Sequence, residues 1–418
     1  MTLDTGIPTP PDEDLTRPPI HAVSIPEWIR ANLFRTWYDT LVTVVVGSLA
    51  AWTLLVVVRF ILTADYTILR ANLALFMVGR FPRDQLWRPA VAVVLLAVMI
   101  GFVSGVLQAS ARTRAAEAGV PFRPSHPMDV LRRFWPILGV IVLVLTLSST
   151  WGPTLTVIAG FVAGIGTFLL ARHTPAWLRR LSWLVLVVLT ASIYLVLSGG
   201  GVDWNGWGGL QLTLFLTIAG IALAFPIGLL LALGRRSSLP AVRYLSVTYI
   251  ELIRGVPLIT LLLMGIFVIG FFLPEALRPG PIIRVLIAIT LFESAYIAEV
   301  VRGGLQAVPK GQIEASQALG MSPWKTMRLI VLPQALRATI PAMVGQFISL
   351  YKDTTLVSLV GLLDLLEVSS VANNQPDFLA QGFETVTLGF VALLFWVGSY
   401  VMSREARRLE TKLGVGER

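Results

Sequence analysis

The sequence predicts an all-α polytopic membrane protein with about ten transmembrane helices, and three observations carry that prediction. Of its 418 residues, 55% are hydrophobic and only 14% charged, against about a quarter charged in an ordinary soluble domain. Mean hydropathy is +0.76. The apolar residues also gather into stretches of roughly 20, the length that crosses a bilayer, separated by arginine-bearing loops.

Composition narrows the chemistry. There is no cysteine, which excludes disulfides and thiolate metal sites. His21, His126 and His173 lie far apart in sequence, so no metal site is expected from them. A net charge of +9 with a pI near 10.2 fits the cationic excess of loops on the inner side of a membrane, and no nucleic-acid partner is expected. No glycine loop of the form GxxxxGK[ST] occurs, and neither a triad-like nor a paired-carboxylate arrangement is visible. The chain is therefore expected to be neither an enzyme nor, by that motif, an ATP binder.

Taken in order, residues 1–23 are Pro-rich and polar with no apolar core of a signal peptide, and read as a disordered tail. Ser24 and Glu27 have the spacing of a capping box. The helix they begin carries Trp28, Ile29, Leu33, Trp37 and Tyr38 among Arg30 and Arg35, a mixture suited to the membrane interface. Tail and interfacial helix together make a segment 1–40. Spans are then expected at 41–62, 89–108, 135–150, 154–171, 181–198, 210–232, 256–273, 282–301, 342–365 and 385–402. Gly220, Ala222, Ala224 and Gly228 of the sixth suit close helix packing, and Pro226 a kink.

Arginines set the orientation. Loops 109–134, 172–180 and 233–255 and the tail 403–418 are basic and fall on one side, expected to be cytoplasmic with both termini. The loops 151–153, 199–209 and 372–384 opposite them lack arginine and lysine. Loop 63–88 dissents, with Arg70, Arg80, Arg83 and Arg88. The glycines of 199–209 (SGGGVDWNGWGG from Ser198) mark a boundary between two halves. No convincing repeat relates the halves.

A polar, basic hairpin interrupts the second half at 311–341, GQIEASQALGMSPWKTMRLIVLPQALRATIP. Its first helix is expected over about Gln312 to Leu319, ending at Gly320 in a left-handed cap. The second starts with Ser322 as N-cap and Pro323 at the first helical position and is expected to end near Leu332, before Pro333. Helices of this length are marginal alone, so the hairpin needs a docking partner.

Charges at membrane depth cost about 2.5–3.5 kcal/mol each on insertion scales, which singles out Glu293, Lys352 and Asp353. Lys352 and Asp353 are adjacent and diverge by about 100° on a helix, so each needs another partner. One reading is a solute pathway, with Glu293 facing an amino group and Lys352 a carboxylate; the other is ion pairing that fixes helix register. Glu299 with Arg302, and Glu251 with Arg254, have the spacing of local pairs.

The hairpin resembles the EAA loop of bacterial ABC importer permeases. In that pattern EAA is followed by three residues, Gly, nine residues and Ile-x-Leu-Pro. The matching residues here are Glu314, Ala315, Ser316, Gly320, Ile330, Leu332 and Pro333, with Ser316 the single departure. YIELIRGVPL, AYIAEVVRGGLQAVPKGQ and LYKDTTLVSLV are similar to segments of the polar amino-acid uptake branch. The resemblance covers residues 209–418 and implies a MetI-like permease core over 210–402, with 41–198 as an N-terminal extension of about five spans. A long form of this kind resembles the M-type membrane subunit of a general L-amino-acid transporter.

For function, the resemblance implies a subunit of an ATP-driven importer in the bacterial inner membrane. A sister permease, a cytoplasmic ATPase dimer carrying the ATP and magnesium, and a periplasmic amino-acid-binding protein are the implied partners. On the hairpin, Glu314, Ala315 and Gly320 would sit in an ATPase cleft, with Lys325 and Arg328 adding cationic contacts. The competing expectation is a stand-alone secondary carrier or channel driven by ions at Glu293, Lys352 and Asp353.

Overall fold

The computed structural model describes residues 24–122, 132, 134–199, 202 and 206–414; the expected tail 1–23, with His21, and His126 lie outside them. The described residues are helical apart from turns and one isolated bridge, between Gly209 and Asp364. Two compact units form, Met1–Ala64 and Asp65–Arg418.

In the first unit the Glu27 carboxylate accepts from the Ser24 amide at 3.2 Å and its hydroxyl at 2.9 Å, the reciprocal half of the expected box, and opens α1 (Ile25–Leu33). Thr36 and Asp39 repeat the device at the start of α2 (Trp37–Thr63). No residue of α2 is buried within the protein, and its apolar side chains point all round. A helix hydrophobic on every side is at home in lipid.

The second unit begins with a helix that sequence reading placed in a loop. α3 (Thr67–Val78) is too short to span, yet Ile68, Leu69, Asn72, Leu73, Leu75 and Phe76 are all buried. There follow α4 (Trp87–Glu117), α5 (Trp135–Leu147), α6 (Trp151–Ala171), the short α7 (Ala176–Arg180) and α8 (Ser182–Ser198). Lipid tails are as apolar as leucine, so these helices associate through close packing rather than escape from water. Gly101 and Gly105 of α4 show how close: a Cβ at Gly101 would lie 2.2 Å from the Gly164 carbonyl oxygen of α6, and one at Gly105 would meet Ala171 at 2.6 Å.

The second half contributes α9 (Gly209–Arg235), α10 (Pro240–Arg254), α11 (Leu258–Leu263) and α12 (Ile269–Phe272), the last two joined by a π-turn, Met264–Val268. Then come α13 (Pro281–Ala307), α14 (Lys310–Ala318), α15 (Pro323–Thr326), a second π-turn (Met327–Val331), α16 (Leu332–Asp353), a 3₁₀ segment (Thr354–Val360), α17 (Leu365–Asn373) and α18 (Glu384–Leu413). Among the described residues seven helices are long and apolar enough to cross a membrane, eight if α10 and α11–α12, bent by 104°, count as one broken span. The ten expected spans each meet an apolar helix, two of them (α5 and α8) shorter than a full span.

Three boundaries differ from expectation. The chain does not stop at Pro333: α15, the π-turn and α16 run on as one rod from Pro323 to Val360. Proline lacks the N–H that an α-helix would use there, and the wider π-turn just before it accommodates that loss. The ninth span accordingly begins in the hairpin and ends before Gly361, which takes φ +84, rather than covering 342–365. Loop 63–88, as noted, contains α3.

α13 is the axis of the second half, packed by α9, α10, α11 and α16. Gly220, Ala224 and Gly228 of α9 are buried one turn apart. A Cβ at Gly228 would fall 2.7 Å from Ile297 of α13 and from the Ser294 carbonyl; Ala222 faces outward. The extension is tied to this half through α3. Gly79 and Gly209, both at positive φ, let it approach so closely that a Cβ at Gly209 would lie 2.3 Å from the Phe76 carbonyl oxygen. Asn72 accepts from the Gln375 amide at 2.7 Å, and Phe76 meets Phe390 edge-on at 5.4 Å.

Candidate functional site

Two places on the second half carry the residues singled out by sequence. The first is midway along α13. Ile289, Glu293 and Ile297 are spaced four apart and buried, so the face that packs the core aims the Glu293 carboxyl inward, away from lipid. Glu293 is 2% exposed and its Oε1 has no hydrogen-bond partner. One turn earlier the Thr290 hydroxyl is also buried and unpartnered. A carboxyl in this state is costly unless something fills the gap. The Asp353 carboxylate, at the end of α16, is near enough to act on it electrostatically.

Asp353 is half-buried and accepts from the Ser349 hydroxyl at 3.4 Å. Lys352, the next residue back, points out of the protein and is exposed. No ion pair joins Lys352 to Asp353 or Glu293 among the described residues. Of the three residues, Glu293 is buried, Asp353 half-buried and Lys352, whose charge acts on Asp353, exposed.

The second place is the hairpin. α14 ends at Ala318 and Gly320 turns the chain at φ +73 in open space. Ser322 caps α15, accepting from the Lys325 amide at 3.4 Å. Ser316 is buried and its hydroxyl meets that of Thr326 at 3.0 Å. It staples one helix to the other and is not available on the surface. Glu314, Ala315, Gly320, Lys325, Arg328 and Pro333 are exposed, while Ile330 and Leu332 are partly buried. Leu319, Trp324 and Leu329 stand out at 82, 67 and 59% exposure, an apolar knob on a polar hairpin. Beneath it Ile313 and Met327 pack against the cluster formed by Ile250, Ile297, Val301 and Ala335, so the hairpin is seated on α13 and the rod.

A charged hub lies at the same end of the bundle. The Glu299 carboxylate takes a two-point bond from the Arg302 guanidinium and lies 3.6 Å from Arg254 and 3.7 Å from Arg235. Arg254 also covers the Tyr296 ring at 5.5 Å. The expected Glu299–Arg302 pair is present, but Glu251 pairs with Arg235 at 2.9 Å and not with Arg254. From α10, Arg254 reaches Glu299 of α13 and Glu251 reaches Arg235 of α9.

Sequence reading passed over Arg284, although PIIRVLIAIT places a charge inside a span. Its Nη1 donates to the Ile266 carbonyl within the π-turn of α11–α12. Gly270 leaves the room, since a Cβ there would lie 2.3 Å from Nη1. Tyr249 was also missed; its hydroxyl donates to the Leu291 carbonyl at 2.9 Å and meets Ser294 at 3.0 Å, holding α10 on α13.

Residues 224–415 match the family model described as "Binding-protein-dependent transport system inner membrane component". The chain is 35% identical over 410 residues to the inner membrane amino-acid ABC transporter permease protein YhdY of Escherichia coli, covering 93% of each chain. It is 35% identical over 439 positions to the glutamate/glutamine/aspartate/asparagine transport system permease protein BztC of Rhodobacter capsulatus, covering 94% of this chain and 95% of that one. A shorter relative, the probable glutamine ABC transporter permease protein GlnP of Bacillus subtilis, is 37% identical over 207 residues. Here 49% of this chain accounts for 92% of the other.

Proposed function

This chain belongs to the amino-acid ABC transporter permeases, inner membrane components of binding-protein-dependent transport systems, and from that premise we propose that it carries L-amino acids inward through a step driven by a separate ATPase. The observation that carries the reading is the hairpin. It is a rigid, stapled projection whose exposed Glu314, Ala315 and Gly320 are joined by the apolar knob of Leu319, Trp324 and Leu329. Such a surface needs a protein partner. The chain has no nucleotide loop of its own, so ATP and magnesium belong to that partner.

The mechanics follow from the seating of the hairpin. α15, the π-turn and α16 form one rod, and Lys352 and Asp353 close its α-helical part. A displacement of the hairpin is therefore passed along one continuous helical rod towards the level of Glu293. The cytoplasm is the side of the hairpin, the arginine hub and both termini. The opposite face receives amino acid from a binding protein, and a sister permease completes the pathway. ATP binding moves the equilibrium only as far as the ATPase prefers one hairpin position to the other.

Within the membrane, Glu293 and Asp353 line the path and Glu293 meets the substrate's ammonium group. Lys352 is left on the outer surface of the rod and serves the contact with the sister subunit or lipid headgroups. Gly320→Asp tests the coupling. The added Cβ meets no atom within 4 Å, and the positive φ costs about 1–2 kcal/mol, too little to unfold the chain. We expect ATP-driven uptake by the whole complex in vesicles to be abolished while membrane insertion persists. Undiminished uptake would remove the hairpin from the mechanism.

A further inference from the structure

Far from the hairpin, α17, the turn that follows it and the start of α18 enclose a cleft of about 230 Å³. That is room for several waters or for one amino acid. Its lining joins the polar side chains of Ser370, Asn373, Asn374 and Glu384 to the aromatic rings of Phe378 and Phe383. We propose that this cleft is an outer receiving site for the ammonium end of an amino acid. The inference rests on the import reading above, which places this turn on the outward face.

The donor and acceptor count points to that ligand class. The Asn373 amide nitrogen donates to the Ser369 carbonyl at 2.8 Å and to the Thr387 hydroxyl at 2.7 Å. A flipped amide would set its oxygen against the Ser369 carbonyl, so the orientation is fixed. Thr387 is occupied in turn: it accepts from Ser369 at 2.8 Å and donates to the Glu384 carbonyl at 3.1 Å. Asn373 Oδ1 is left buried with no partner. Glu384 stands exposed at the rim, and none of the ion pairs among the described residues involves it. Phe378 and Phe383 meet edge-on at 5.6 Å, giving the site ring faces that attract a cation.

Beside the hydroxyl of Ser370 and the side-chain amide of Asn374, the cleft offers an unpartnered acceptor, a carboxylate and aromatic rings. An ammonium group, with its N–H donors and its positive charge, satisfies all three at once. The turn itself is held in an unusual form: Ala380, a non-glycine residue, has φ +61, and Gly382 has φ +76. Strained turns of this kind persist where a surface has to be shaped.

The chain has no cysteine, so a single Ser370→Cys gives a clean thiol at the rim, with Leu379→Cys opposite it as a second reporter. Full-length chain in membrane vesicles with its partner subunits would be labelled with a maleimide, with and without a mixture of L-amino acids at millimolar concentration. We expect the amino acids to slow labelling several-fold, their N-acetyl forms not to, and Glu384→Gln to remove the protection. Equal labelling rates with and without amino acids at both reporters would overturn the site, as would equal protection by the N-acetyl forms. ATP-driven uptake in the same vesicles separates the two readings. Uptake without protection sinks the receiving site alone, whereas loss of uptake in the unlabelled wild type strikes the import reading.

Discussion

Glu293 and Glu299 stand on the same helix, less than two turns apart, and are held in opposite ways. Glu299 gathers Arg302, Arg254 and Arg235 from three helices, and all four side chains are about a quarter to a third exposed. Glu293 is buried and its Oε1 meets no donor. A charge that the protein has fully partnered is part of how helices are fastened together. A carboxyl that it has buried and left unsatisfied is unexplained by the fold and asks for a ligand. The pair thus separates structure from function within one helix.

The largest effect should come from Glu293→Gln. A neutral isostere keeps the shape of a buried carboxyl that has no partner at Oε1, so stability in detergent should hold or rise. Uptake of at least one charge class of amino acid should change tenfold or more, worth about 1.4 kcal/mol in the transport barrier. The measurement is ATP-driven uptake of radiolabelled glutamate, glutamine and lysine by the whole complex. Wild-type rates for all three would make Glu293 as structural as Glu299 and erase the contrast.

Glu299→Gln should do the reverse. It leaves three guanidinium groups facing an amide at the junction of α9, α10 and α13. Partial exposure screens the loss, so we expect about 1–2 kcal/mol, read as a fall of a few degrees in the thermal midpoint of the purified protein. The ranking of amino-acid substrates should be unchanged. A change in that ranking without a fall in the midpoint would place the hub on the pathway.

Much of this contrast could be read from sequence, and the parts that could not have a common cause. Glu293, Lys352 and Asp353 stood out because a charge in an apolar run is visible to composition alone. The hairpin was legible because Gly320, Ser322 and Pro323 act locally, through backbone conformation and capping. Which partner a charge finds is decided across helices, and spacing along one helix misassigned Glu251 to Arg254. α3 was hidden for the same reason: twelve residues with Arg70 among them look like a loop until the faces of α9, α17 and α18 close round them. Pro333 was read as a stop because proline ends an ordinary α-helix, and only the preceding π-turn shows how the rod passes through it.

The smallest effect bears on the border between the two regions. Tyr249, on the helix that delivers Arg254 to the hub, donates to the Leu291 carbonyl and touches Ser294, the residue beside Glu293 on α13. If its task is to hold α10 in place, Tyr249→Phe keeps the ring packing and loses only a hydroxyl bond, about 0.5–1.5 kcal/mol. It should then lower the thermal midpoint less than Glu299→Gln and leave uptake of glutamate, glutamine and lysine in wild-type proportion. Should it instead shift those proportions as Glu293→Gln does, α10 belongs to the wall of the pathway. The line between fastening and function would then run along α10 rather than along α13.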